Sequence, residues 1–163
     1  KVAGLSFDEV KVVFLAPAVT CTRFAQAIDA HGNGYLKNFR MFAMHDERES
    51  ADVLVPILYT RSLLYFVSGV LEGRPMGAGW EGIVDMPLVG MERFFDAAHL
   101  KTFSENSDVQ KVLSFLTSTD HPHRCVWSQS LGAGNGLNSD SKKHGDFDDD
   151  PATLTSVTQL IDA

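Results

Sequence analysis

A histidine on a polar loop near the C-terminal end is the first residue of this chain that could do chemistry. His144 stands in the run Lys142-Lys-His-Gly-Asp146, shortly before a marked helix start. Asp150 suits the N-cap and Pro151 the first turn, so we predict a helix over residues 153–161. A loop imidazole positioned by such a scaffold stays accessible to substrate, as a general base must be.

A group of acidic side chains follows an apolar run earlier in the chain. The run over residues 40–44 predicts a buried strand, and His45-Asp-Glu-Arg-Glu49 comes directly after it. An acid after one strand and a histidine after a later strand are two members of a Ser-His-Asp arrangement. In that arrangement the acid fixes the tautomer of the imidazole, and the imidazole accepts the proton of the nucleophile.

Each of these residues also has a structural interpretation. Asp46 could close the strand in an Asx turn, and Glu47 or Glu49 could equally be the acid. His144 could be a solvated loop histidine, since two lysines and four aspartates surround it. Cys21 is a conceivable nucleophile, although a small buried hydrophobic residue explains it better.

Two further segments carry side chains that bind metals in other proteins. His121-Pro-His123 beside Asp120 offers two imidazoles, but a polar turn before a strand accounts for the same residues. The aspartates of residues 146–150 lack the ligand spacing of a calcium loop, and the helix dipole explains carboxylates at this position. We therefore expect neither a metal nor a cofactor.

The elements that must position these residues follow from the hydrophobic pattern. The pattern predicts strands over 10–16, 40–44 and 124–128, helices over 22–30, 109–116 and 153–161, one buried helix or two helical pieces over 51–71, a strand-like segment over 86–91 and a glycine-rich loop over 131–136. Alternation of strands and helices with short links favours an α/β fold of three layers, in which helices flank a mainly parallel sheet.

Composition restricts the classes of partner. The net charge of −7 disfavours a nucleic-acid surface. Two cysteines are too few for a disulfide framework, so we expect a reduced, cytoplasmic setting. No run reaches the roughly 18 apolar residues that a membrane span needs, and the first residues do not resemble a signal peptide.

Three segments together resemble a known family. They are Phe14-Leu-Ala-Pro-Ala-Val19, Arg40-Met-Phe-Ala-Met-His-Asp46 and Lys143-His-Gly-Asp-Phe147. In this order they are similar to the C-terminal half of an α/β-hydrolase, and the resemblance covers nearly the whole chain. It implies an esterase- or lipase-like enzyme that acts on carboxylic esters, with Asp46 as the acid and His144 as the base.

One part of the family's machinery is missing from the sequence. The nucleophile of an α/β-hydrolase sits on a Gly-x-Ser-x-Gly elbow, and no such pattern occurs in these 163 residues. We therefore expect residues 1–163 to form either a single hydrolase-like domain or the C-terminal half of one. A complementary chain with the nucleophile, or self-association, would cover the open sheet edge. The alternative is a non-catalytic binding or assembly module that keeps the scaffold and has lost the nucleophile.

Overall fold

Three parallel strands form the centre of the protein. The computed structural model describes residues 6, 9–32, 34–52, 62–71, 74–75, 83–84, 86–95 and 105–163. Strand β1 spans Val12–Leu15 and β2 spans Phe39–Ala43; the short strands β3 (Arg74–Pro75) and β4 (Ile83–Val84) form a separate antiparallel pair; β5 spans Cys125–Trp127. The main sheet has the order β1-β2-β5, with β2 parallel to both neighbours. The carboxyl ends of all three strands therefore lie at one edge.

Helices of ten or eleven residues flank this sheet, and a polar side chain caps the start of each. The helices are α1 (Cys21–His31), capped by Thr20, α4 (Ser107–Leu116), capped by Asn106, and α5 (Pro151–Ile161), capped by Asp150. Each capping oxygen accepts a backbone N–H of the first turn, which would otherwise lack a partner.

The side chains of β2 alternate between two apolar cores. Phe39, Met41 and Ala43 point toward α1 and α4, which pack against each other. Phe42, from the same strand, joins the opposite core together with Val157 of α5. Successive strand residues face opposite sides of a sheet, so a strand with buried apolar residues on both faces, as in β2, requires a cover on both sides. The result is an α/β arrangement with helices on both sides, as the sequence predicted.

The shorter helical elements lie around the carboxyl edge. They are α2 (Asp46–Ala51), α3 (Leu63–Phe66), which continues as a π-helical turn over Val67–Leu71, and the 3₁₀ turns Glu92–Phe94 and His144–Asp146. The prediction of one buried helix or two helical pieces over 51–71 therefore agrees with the structure over residues 63–71, where Leu64 is buried. Residues 53–61 lie outside the described residues.

The strand-like prediction for residues 86–91 is wrong. Leu88 forms a single antiparallel bridge with Thr20, and no strand follows from it within this segment. Pro87 has no N–H to give to a ladder. Gly90 lies so close to Pro17 that a Cβ would come within 2.5 Å of the Pro17 carbonyl oxygen. The apolar residues of this segment are buried by turns instead.

In the part of the chain that the structure describes, no helix combines the length and the apolar character that crossing a bilayer demands.

Truncation of Phe42 tests the two-sided core. Phe42 has no exposed surface in the middle of β2, so we expect Phe42→Ala to lower the free energy of unfolding by about 3–5 kcal/mol. Urea unfolding measures the change. Leu154→Ala on the exposed side of α5 is the matched control and should change the value by less than about 1 kcal/mol. Equal effects of the two substitutions would contradict this description of the core.

Candidate functional site

The segments that follow β2 and β5 are joined by hydrogen bonds. The Ser128 amide donates to the carbonyl oxygen of Ala43 at 2.7 Å, and the His45 amide donates to Ser128 Oγ at 3.2 Å. Ser128 is therefore buried and links the two strand ends, and its hydroxyl oxygen accepts the His45 amide. Parallel pairing of β2 with β5 brings these segments to the same edge, which is where α/β folds place their ligands.

Arg48 of α2 fastens the loop that precedes His144. Its Nη1 group donates to the carbonyl oxygens of Asp140 and Ser141, at 2.9 Å each. Its Nη2 group lies 3.2 Å from Asp140 Oδ1 and forms a partly buried ion pair. A planar guanidinium with several fixed donors can hold a loop in one orientation.

His144 itself is fixed by a carboxylate that the sequence analysis did not consider. The His144 amide donates to Asp52 Oδ2 at 3.0 Å, where Asp52 caps the C-terminal end of α2. The Nδ1 atom of His144 is buried and has no hydrogen-bond partner among the described residues. Burial lowers the pKa of His144, and the negative charge of Asp52 partly offsets this by raising it. The imidazole is therefore favoured in its neutral form, which a general base requires.

The expected hydrogen bond between His144 Nδ1 and the acid after β2 is not formed. Asp46 instead accepts from the Tyr65 hydroxyl at 3.3 Å, and its amide donates to Glu92 Oε2 at 2.8 Å. Asp46 begins α2 rather than closing an Asx turn. The prediction looked for the acid immediately after the strand, but a helix of six residues intervenes and carries Asp52 to the histidine loop. The first turn of this helix is rich in acidic residues, namely Asp46, Glu47 and Glu49. This concentration of acidic residues is typical of a helix N-terminus and was the sequence signal that could have predicted the helix.

Glu49 is a buried acid beside this group. Only 1% of Glu49 is exposed, Ser62 donates a short hydrogen bond to its Oε1 atom, and its Oε2 atom has no partner among the described residues. Burial, with smaller contributions from the charges of Asp52 and Asp46, raises the pKa of Glu49 to about 7, although the hydrogen bond from Ser62 acts to lower it. The Glu49 carboxyl group, which lies between α2 and the start of α3, therefore titrates near neutral pH.

Asp46 and Glu47 line a cavity of about 520 Å³ on the α4 side of the sheet, which we call the acidic cavity. Its described lining residues are His45, Asp46, Glu47, Glu92, Phe95, Leu113, Leu116, Thr117, Cys125 and Trp127. His144 is not among these residues. The structure thus places the two residues chosen from the sequence in different surroundings, although both follow neighbouring strands.

A second cavity, of about 580 Å³, lies near the start of β5. His31, His121 and Arg124 contribute to its lining. The Arg124 guanidinium stacks on the Phe115 ring at 3.8 Å and donates to the Phe115 carbonyl oxygen at 2.9 Å, so it completes the end of α4. Within the described ranges, no three His, Cys, Asp or Glu side chains gather as ligands for a metal.

Neither cysteine has the character of a nucleophile. Burial raises the pKa of Cys21 to about 12, and Asp108 adds to this shift. Burial likewise raises the pKa of Cys125 well above its usual range, with a further contribution from Glu92. Both side chains therefore stay protonated thiols, and the thiolate is the reactive form. Cys21 belongs to the apolar core between α1 and the sheet.

Comparison with known proteins adds no relative: no family model, no curated protein and no solved structure matches this chain.

The charge of Asp52 should be measurable in the titration of His144. We expect Asp52→Asn to lower the pKa of His144 further, because the substitution removes the negative charge that raises it. The chemical shift of the imidazole Cε1–H proton, followed by NMR against pH, reports this value. Asp162→Asn, at the exposed end of α5, is the control and should leave the titration unchanged. An unchanged His144 pKa in Asp52→Asn would show that the two side chains do not interact.

Glu49 should make stability depend on pH. Its pKa is raised from 4.5 to about 7 in the folded chain, so its contribution to stability is complete below pH 4.5 and is lost as pH rises through about 7. Glu49→Gln removes this titration. We expect the variant to gain about 1–3 kcal/mol relative to wild type between pH 5 and pH 8.

Urea unfolding at pH 5 and pH 8 measures the difference. Glu47→Gln, on the exposed side of the same helix, is the matched control. A Glu49→Gln variant that tracks wild type at both pH values would rule out a buried ionisable group at this position.

Proposed function

We propose that this chain supplies the base and the acid of a serine-hydrolase-type esterase, with His144 as the base and Asp52 as the acid beside it. The supporting observation is the hydrogen bond from the His144 backbone amide to Asp52 Oδ2, at the edge where β2 and β5 end, together with the charge of Asp52, which raises the pKa of His144. In this proposal Asp52 has the role that the family resemblance implies for Asp46. The substrate class is a carboxylic ester, as the resemblance to α/β-hydrolases implies.

The proposed chemistry uses the neutral imidazole. His144 accepts the proton of an attacking serine hydroxyl at Nε2 and returns it to the alcohol that leaves. The carboxylate of Asp52 stabilises the imidazolium that exists between these two transfers, in line with the direction in which its charge moves the His144 pKa. Arg48 keeps the loop of His144 against α2 during the reaction.

The nucleophile must come from outside these 163 residues, because they contain no Gly-x-Ser-x-Gly pattern. A three-stranded parallel sheet with helices on both faces suits the C-terminal part of an α/β-hydrolase. In the described residues β1 pairs only with β2. We propose that a strand carrying the nucleophile, from a complementary segment or chain, pairs with the other edge of β1.

A non-catalytic binding or assembly module is the second candidate. The observation in its favour is the Nδ1 atom of His144, which is buried without the acid partner that a complete triad provides. In this alternative Asp52 and Arg48 serve only to dock the loop of residues 139–144 onto α2.

Ester turnover distinguishes the two candidates. Hydrolysis of p-nitrophenyl butyrate is measured for the protein that carries this sequence, with the complementary chain present where there is one. We expect His144→Ala to reduce kcat/KM by about 10³-fold or more, since it removes the general base. Asp52→Asn should reduce it by about 10–100-fold, since the imidazolium loses its counter-charge.

The matched control is His31→Ala, which removes a histidine from the cavity near the start of β5 and should leave kcat/KM unchanged. Equal turnover by wild type and His144→Ala would exclude His144 as the base. Absence of turnover by the wild-type protein in the presence of the segment or chain that carries the nucleophile would favour the module.

A further inference from the structure

Three carboxylates line the acidic cavity, those of Asp46, Glu47 and Glu92. Among its lining residues in the described part of the chain, none is a lysine or an arginine. The Arg93 guanidinium lies over the rings of Tyr65 and Phe94, at 4.3 and 4.7 Å, and is not among the described lining residues. His45 also lines the cavity, and its Nε2 atom lies 3.5 Å from Glu92 Oε2.

Apolar side chains make up most of the remaining lining. They are Leu113 and Leu116 of α4, Phe95, and Trp127 of β5, which is only partly buried. Cys125 also lines the cavity, and its thiol is uncharged because burial raises its pKa well above the usual range. A volume of about 520 Å³ lies within the range of small-molecule sites, which combine apolar walls with a few polar groups.

The combination of carboxylates and apolar side chains in one lining selects the charge of a ligand. Three lining carboxylates would repel an anion, and a purely apolar molecule would remove their solvation without compensation. An ammonium group is attracted by the carboxylates and by the face of an indole ring such as Trp127. Contact with the apolar lining residues would not stabilise a hydrated metal ion, and the described residues contain no group of three side chains that could ligate one.

We propose that the acidic cavity binds a small organic cation, an ammonium group attached to an aromatic or alkyl body. The ammonium lies against Glu92, Asp46 and Glu47, and the apolar body lies against Trp127 and the leucines of α4. This site does not include His144 and does not depend on the proposed esterase activity.

Three phenyl compounds that differ in charge test the proposal. They are 2-phenylethylammonium, neutral 2-phenylethanol and anionic 3-phenylpropionate. Binding is followed by the fluorescence of Trp127 in a Trp80→Phe background and by calorimetry. We expect the ammonium to bind at least about tenfold more tightly than the alcohol and the carboxylate to bind most weakly. Equal affinities, or binding of none of the three at millimolar concentration, would overturn the proposal.

Two substitutions then locate the ligand. Glu92→Gln keeps an oxygen that can accept from the Asp46 amide but removes the charge, and Glu47→Gln removes a charge from an exposed position of α2. We expect either variant to weaken the ammonium by about 3–10-fold and to leave the alcohol unchanged. Asp162→Asn is the control and should affect neither compound. Unchanged ammonium affinity in both glutamate variants would place the cation elsewhere and overturn the proposal.

Discussion

Parallel pairing of β2 with β5 is the constraint on which the rest of the structure depends. The pairing joins Met41 to Cys125 and Ala43 to Trp127, which lie more than eighty residues apart in sequence. Because both strands run the same way, the two polar segments that follow them emerge side by side. Without this register, neither the contact of Asp52 with His144 nor the link through Ser128 could form.

Two ionisable groups that are costly to bury lie at the carboxyl edge of the sheet. Glu49 and the Nδ1 atom of His144 are both buried without full hydrogen bonding in the described residues. Their pKa values move in opposite directions, upward for the acid and downward for the imidazole, because burial penalises the charged form of each. Perturbed pKa values of this kind cluster at functional sites, and this supports the proposed role of His144 in proton transfer. Arg48 and Asp52 then supply the directed contacts that hold the edge together.

The acidic cavity and the histidine site share α2 but not their physical character. Asp46 faces the cavity at the start of α2, whereas Asp52 meets the histidine loop at its end. One helix of six residues thus separates two sites that the sequence analysis had merged into one. The helix is short, so its position depends on Arg48 and on the hydrogen bond of the Asp46 amide to Glu92.

Local patterns were sufficient to predict the elements that form the core. The three long helices and three main strands were found to within two residues at most of their ends, because each has an unbroken apolar pattern or a polar cap. The same reasoning failed at residues 86–91, where Val89 and Met91 are buried without belonging to a sheet. It also missed Asp52, since a carboxylate one helix beyond a strand has no local signature.

The sequence by itself determined the alternation of strands and helices, the N-cap of α5, and the presence of a loop histidine after the last strand, because these depend on near neighbours in the chain. Only the tertiary structure decided which carboxylate meets His144, which atoms lie buried without partners, and where a cavity opens. These features depend on contacts such as that of Asp52 with His144, 92 residues apart, and no local pattern encodes a distance across a sheet.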